Sequence, residues 1–236
     1  MDYPYPIHTL NVTNFFDGNA GRRCPSNIAI VKYWGKHGIQ LPKNTSFSLT
    51  LTNAHTDTYI EYSKQANNKI SLDFTFEGQK NQAFEDKIRN YLQRVEDFFP
   101  ILKDFHLKIE SKNSFPHSSG IASSASAMGA LALCICSIEA ELFGFSHDEA
   151  LRQKASYLAR LGSGSASRSV IPYFSTWGAH HSVQNSSDLH ATQTEDLHAV
   201  YESFHDDILI VSAQEKSVSS TAGHALMNNN IFAEAR

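Results

Sequence analysis

Between Thr56 and Tyr62 the residues Thr58, Ile60 and Tyr62 alternate with polar neighbours. A period of two is the mark of a strand with one face buried. The alternation returns at Ile70, Leu72, Phe74 and Phe76, predicting a strand over Lys69–Phe76, and Phe105, Leu107 and Ile109 mark another. Asn27–Trp34 and Thr45–Thr52 are also strand-like. Between Gln82 and Phe99 the spacing becomes helical, with Ile88, Leu92, Val95, Phe98 and Phe99 on one face.

Ala122–Phe143 is apolar nearly all round, which predicts the central buried helix, and Gly144 is a natural stop. Ser146 and Glu149 have the spacing of a capping box opening a helix that runs to Leu161. Thr176–Val183 reads as a strand, Gln184–Ala199 as a polar connection, and Ile208–Val211 as a short strand beginning something new. From Ser219 a helical pattern begins, and it stops at Phe-Ala-Glu-Ala-Arg236 with no Gly, Pro or polar terminator, as though the chain were cut inside an element. The division expected is an irregular arm over 1–20, a main domain over 21–199, and the start of another over 200–236. Strands, one buried helix, then more strands is an α+β order.

Composition narrows the partners. Of 236 residues, 20 are Lys or Arg and 24 Asp or Glu, a net charge of −4. That excludes a general nucleic-acid binder, and no basic block exists to hold an anionic membrane. The longest apolar run, Ala127–Ile138, falls short of the ~20 residues that span a bilayer. The opening MDYPYPIHTL has neither a basic start nor an apolar stretch. With Cys24, Cys134 and Cys136 read as buried free thiols, a cytoplasmic location is expected. His180 and His181 would face opposite sides of a strand, so no metal site is expected from them.

Three clusters carry chemistry. Phe115–Ser126 joins a strand to the buried helix. Pro116 sets the entry, Gly120 admits a ligand to the backbone, and Ser118, Ser119, Ser123 and Ser124 surround a helix N-terminus, a combination that holds phosphate. It lacks the G-K-[ST] ending of a P-loop. The second, Arg160-Leu-Gly-Ser-Gly-Ser-Ala-Ser-Arg168-Ser, alternates glycine with Ser163, Ser165 and Ser167 ahead of a guanidinium suited to carboxylate or phosphate. The third is Pro25-Ser-Asn27-Ile-Ala-Ile-Val-Lys32-Tyr33-Trp34-Gly35-Lys36, with Lys32 and Trp34 on one side of the strand and Tyr33 on the other. Pro42, Asn44 and Ser46 follow closely and complete a cleft wall.

The Pro-x-x-x-Gly-x-x-Ser-Ser turn resembles the phosphate motif of the GHMP kinase superfamily. Asn-Ile-Ala-x-x-Lys-Tyr-Trp-Gly-Lys at 27–36, Gly-Ser-Gly-Ser-Ala-x-Arg-Ser at 162–169 and Val-Ser-Ser-Thr at 218–221 are similar, in this order, to the diphosphomevalonate decarboxylase family. The resemblance implies a GHMP-type N-terminal domain, like ribosomal protein S5 domain 2, followed by the beginning of a ferredoxin-like domain. It implies ATP and Mg²⁺ as cofactors, a small-molecule substrate and a homodimer.

By the same resemblance Ser118, Ser119, Gly120, Ser123 and Ser124 bind ATP, and Lys32 and Arg168 are catalytic, Lys32 facing the tertiary hydroxyl and Arg168 the carboxylate. Asn27, Tyr33, Lys36, Ser163, Ser165 and Ser220 join Arg168 in holding the substrate. Sister activities remain alternatives: decarboxylation of the monophosphate, phosphorylation of mevalonate without decarboxylation, or a non-catalytic nucleotide binder. The family's catalytic aspartate lies in an Asp-Ala-Gly-Pro-Asn motif that these 236 residues do not contain, so the expectation is a truncated, inactive form of a longer enzyme.

Overall fold

The computed structural model describes residues 3–9, 16–116, 121–146, 148–209 and 231. In chain order its elements are strand β1 (Gly18–Val31), a hairpin of β2 (Lys36–His37) and β3 (Leu41–Pro42), and the long strand β4 (Ser46–Lys64). Next come β5 (Ser71–Phe76), β6 (Gln79–Lys80), helix α1 (Gln82–Val95), a 3-10 turn (Pro100–Lys103) and β7 (Phe105–Asn113). Helices α2 (Ser123–Phe143), α3 (Glu149–Gly162) and α4 (Ala166–Ser169) follow, then β8 (Phe174–Trp177), β9 (Thr192–Gln193) and a second 3-10 turn (Ala199–Ser203).

The segments expected at Thr45–Thr52 and Thr56–Tyr62 are one strand, since no Gly or Pro interrupts them. β4 lies antiparallel to β1 along its whole length, from Gly18 opposite Tyr62 to Val31 opposite Phe47, with shifts of register at Pro25/Asn27 and Ala29/Val31. Pro25 has no N–H to give the ladder, and the strand bends beside it. On its other edge β4 carries β7 at one end and β8 at the other, and the sheet runs on through β5 and β6 and through β9. β5 and β7 are parallel; the other pairings are antiparallel. This is the α+β arrangement expected.

One core lies between the sheet and the helices. Ile60 and Tyr62 of β4, Leu107 and Ile109 of β7, and Leu72 and Phe74 of β5 meet Leu92 and Val95 of α1 and Leu131 and Ile135 of α2. By length and composition α2 could cross a membrane, contrary to what the shorter run Ala127–Ile138 implied. Its apolar window is 72% buried against β1, β4, α3 and α4, which explains its apolar character without a bilayer. Inside this layer Glu139 pairs with Lys154 at 2.7 Å, and His8 reaches the same carboxylate at 3.0 Å. The N-terminal arm is thus irregular but docked, with Tyr3 stacked on Phe98 at 4.3 Å.

Several expectations need correction. Asp148, not Ser146, caps α3: its carboxylate accepts from the Leu151 N–H at 3.2 Å, and Ser146 donates to that carboxylate at 2.7 Å. A charged acceptor suits the positive helix end better than a hydroxyl. The strand over Thr176–Val183 ends at Trp177, because Gly178 turns the chain with φ +109°. His180 and His181 are therefore in no strand, and their rings stack at 4.5 Å. The polar stretch Gln184–Ala199 includes β9, so it extends the sheet. Asn27–Trp34 ends as a strand at Val31 and begins as one at Gly18. Ile208 and Leu209 form no strand; residues 210–211 and the segment from Ser219, apart from Ile231, lie outside the described residues.

Gly129 shows how closely α2 approaches β1, since a Cβ there would collide with Cys24 Sγ. Gly129→Ala is expected to destabilise by about 1–3 kcal/mol through overpacking, outweighing a helix-propensity gain of about 1 kcal/mol. Urea unfolding measures it; an unchanged or raised midpoint contradicts the close packing.

Candidate functional site

β1 and β4 deliver residues to one end of the sheet, where α4 meets them. Arg168, on α4, is 2% exposed. Its Nη1 donates to Ser46 Oγ at 2.7 Å and its Nε to Asn27 Oδ1 at 3.3 Å. The guanidinium lies 5.3 Å from the Tyr33 ring and 5.7 Å from that of Trp177. Among the described residues no carboxylate pairs with it, and burial pulls its pKa down to about 10. A buried cation without a counter-charge is costly, and an anionic ligand relieves that cost.

Lys36 also approaches Tyr33, its Nζ 5.6 Å from the ring centroid. Burial lowers its pKa too. Burial raises that of Tyr33, while Arg168 and a hydrogen bond with Ser165 oppose the shift. Gly164 makes room here: a Cβ would sit 2.9 Å from Trp177 and 3.1 Å from the Lys36 stem. Trp177 is fully buried, its indole N–H donates to the Asp188 carbonyl at 2.9 Å, and its ring meets Tyr33 edge-on at 4.8 Å.

Asn27 acts as a brace. Its Nδ2 donates to the Ser165 carbonyl at 3.0 Å and to Ser169 Oγ at 2.7 Å, while its Oδ1 accepts from Arg168. Lys32 is exposed just beyond β1. Asn44 fixes that backbone, donating to the Lys32 carbonyl at 2.9 Å and accepting from the Trp34 N–H at 2.7 Å.

The two serine clusters meet. Ser124 Oγ, at the start of α2, lies 3.4 Å from Ser163 Oγ, at the end of α3. Ala122, with no side-chain acceptor to offer, holds the N-cap of α2 in the left-handed conformation at φ +51°, and Ser26 Oγ donates to the Ile121 carbonyl before it. Ser123 and Ser124 also line a cavity of about 130 Å³ walled by Phe74, Phe76, Phe84 and Ile88. Ser118, Ser119, Gly120 and Ser220 lie outside the described residues. Trp177 and Ser169 were not anticipated, because no local spacing signals them.

Arg168, Lys36 and the hydroxyl-rich turns thus stand on one α+β scaffold, and among the described residues no carboxylate pairs with either cation. The chain belongs to the diphosphomevalonate decarboxylase-like N-terminal domain family, which matches residues 24–189. It is 33% identical over 217 residues to the diphosphomevalonate decarboxylase of Eremothecium gossypii, covering 86% of this chain and 52% of that protein. The fold matches the mevalonate diphosphate decarboxylase of Staphylococcus aureus with a TM-score of 0.71 and 32% identity, over 93% of this chain and 63% of that one. It also matches MDDEF in complex with MVAPP, AMPPCP and magnesium, with a TM-score of 0.57 and 31% identity, over 75% and 50% of the two chains. The chain spans about half the length of the curated relatives it matches.

Replacing Arg168 separates binding from stability. Arg168→Met removes a costly buried charge but leaves Asn27 Oδ1 without its donor and costs Ser46 Oγ, which still donates to the Trp177 carbonyl, one of its two bonds, so the effects offset within about 2 kcal/mol. The melting temperature of the variant is expected to stay within roughly 8 °C of wild type. Inorganic pyrophosphate is expected to raise the melting temperature of the wild type and leave that of the variant unmoved.

Proposed function

We propose that this chain forms the nucleotide- and substrate-holding part of an enzyme that decarboxylates (R)-5-diphosphomevalonate with ATP, releasing isopentenyl diphosphate, ADP, phosphate and CO2. The observation that carries the reading is Arg168, a buried guanidinium without an acidic partner among the described residues, near the same Tyr33 ring as the desolvated Lys36. Arg168 would grip the substrate carboxylate, and Lys36, Tyr33, Ser163 and Ser165 its diphosphate, with Ser220 as a further contact. Asn27 would hold Arg168 and the Ser165 loop in place.

Ser123 and Ser124, with Ser118, Ser119 and Gly120, would hold the ATP phosphates, and the neighbouring apolar cavity suits the nucleobase. The 3.4 Å approach of Ser124 to Ser163 supports this reading, because on it nucleotide and substrate would lie side by side, as phosphoryl transfer requires. Hydroxyls and cations without a carboxylate paired to them among the described residues fit a Mg²⁺ ion carried mainly on phosphate oxygens, where it would neutralise charge. Lys32, exposed at the exit of β1, would face the tertiary hydroxyl that accepts the phosphoryl group. Loss of that new phosphate would then draw the electrons of the breaking carbon–carboxylate bond into the double bond. Water excluded around Arg168 strengthens its hold on charge developing there.

Calorimetry with Mg-ATP and with diphosphomevalonate is expected to show saturable binding of each. Binding of neither overturns the reading, and equal affinity for the monophosphate would favour the sister activity. The protonation of Lys36 supplies a second check. Burial lowers its pKa in the free protein, whereas a bound anion raises it, so binding takes up a proton and weakens as pH rises toward the lysine range. Lys36→Arg is expected to flatten that slope, because its guanidinium stays charged; an identical slope in both proteins rules Lys36 out as its source.

A further inference from the structure

Arg160 opens the second small-residue cluster, yet the chemistry above makes no use of it. It is 2% exposed, on α3. Its Nε donates to the Leu189 carbonyl at 2.7 Å, its Nη1 to the Ile39 carbonyl, and its guanidinium lies 4.8 Å from the Tyr157 ring. Those two carbonyls belong to segments far apart in the chain, and each segment supports one wall of the cleft.

Ile39 is at the tip of the β2–β3 hairpin that bears Lys36. It stands between Gly38 at φ +49° and Gln40 at φ +58°. A left-handed Gln40 needs the surrounding structure to hold it, and the charge-assisted bond from Arg160 falls on the residue beside it. Leu189 follows Asp188, whose carbonyl takes the Trp177 indole N–H and whose carboxylate takes the Ala179 N–H at 2.7 Å. One planar fork therefore ties the carrier of Lys36 to the loop that seats Trp177 beside Arg168.

We propose that Arg160 is a positioning residue: without touching the ligand, it fixes the spacing between Lys36 and the Arg168–Trp177 pair and so sets the affinity of the cleft for a diphosphate group. This rests on the reading of the cleft as a diphosphate site. A lysine at this position retains the charge but cannot present two N–H donors in a fixed fork.

The test titrates inorganic pyrophosphate into the chain by calorimetry. Arg160→Lys is expected to bind roughly tenfold more weakly than wild type, the size of effect that goes with one lost charged hydrogen bond. Adding Gln40→Gly, which relieves the left-handed tip, is expected to recover part of that loss. A merely structural arginine would lower the melting temperature and leave affinity unchanged, so equal affinity in wild type and Arg160→Lys overturns the proposal. No pyrophosphate binding by the wild type overturns the diphosphate reading itself. Amide exchange of the wild type decides the matter should the variant not fold. Pyrophosphate is expected to slow exchange in 36–42 and 187–191 together, and protection confined to 163–168 overturns the proposal.

Discussion

The antiparallel pairing of β1 with β4 is the constraint on which the rest of this structure depends. Because the two strands pair from Gly18 to Val31, with register shifts at Pro25/Asn27 and Ala29/Val31, the exit of one and the entry of the other reach the same end of the sheet. Asn27 and Tyr33 arrive there from one side and Ser46 from the other. α4, packed on the same end, lowers Arg168 between them, where Asn27 and Ser46 take its N–H groups. Just past the register shift at Pro25/Asn27, Asn27 Nδ2 donates to the Ser165 carbonyl and to Ser169 Oγ of α4.

Buried cations are handled in two distinct ways. Lys154 is neutralised by Glu139 inside the helical layer and helps anchor the N-terminal arm, also donating to the Pro6 carbonyl at 3.3 Å. Arg168 and Lys36 have no carboxylate partner among the described residues: Arg168 donates to the Asn27 amide oxygen and the Ser46 hydroxyl, and both cations lie near the Tyr33 ring. Burying charge without compensation costs folding free energy, and a protein recovers it only when an anion arrives. The contrast separates a cation neutralised inside the helical layer from two that no described carboxylate pairs.

Much of the fold was legible from periodicity. Alternation at Thr58, Ile60 and Tyr62 and the all-round apolar character of α2 translated directly into elements, because burial acts residue by residue along a strand or helix. The start of α3 was less legible: Ser146 and Asp148 are both competent caps, and the choice depends on which acceptor reaches the helix end. The end of β8 depended on a glycine turn and on the pairing available from β9.

The sequence by itself determined which chemistry is present: the hydroxyl-rich turns, Lys36, Tyr33 and Arg168, and through their motifs the family. Only tertiary structure decided how those groups act. It made Asn27 a brace, left Lys32 exposed, set Trp177 against Tyr33, and brought Ser124 to Ser163. The physical reason is that residue type fixes what a group can donate, accept or neutralise. Desolvation and partnership, which decide whether it will, come from segments more than a hundred residues away, as Ser46 is from Arg168.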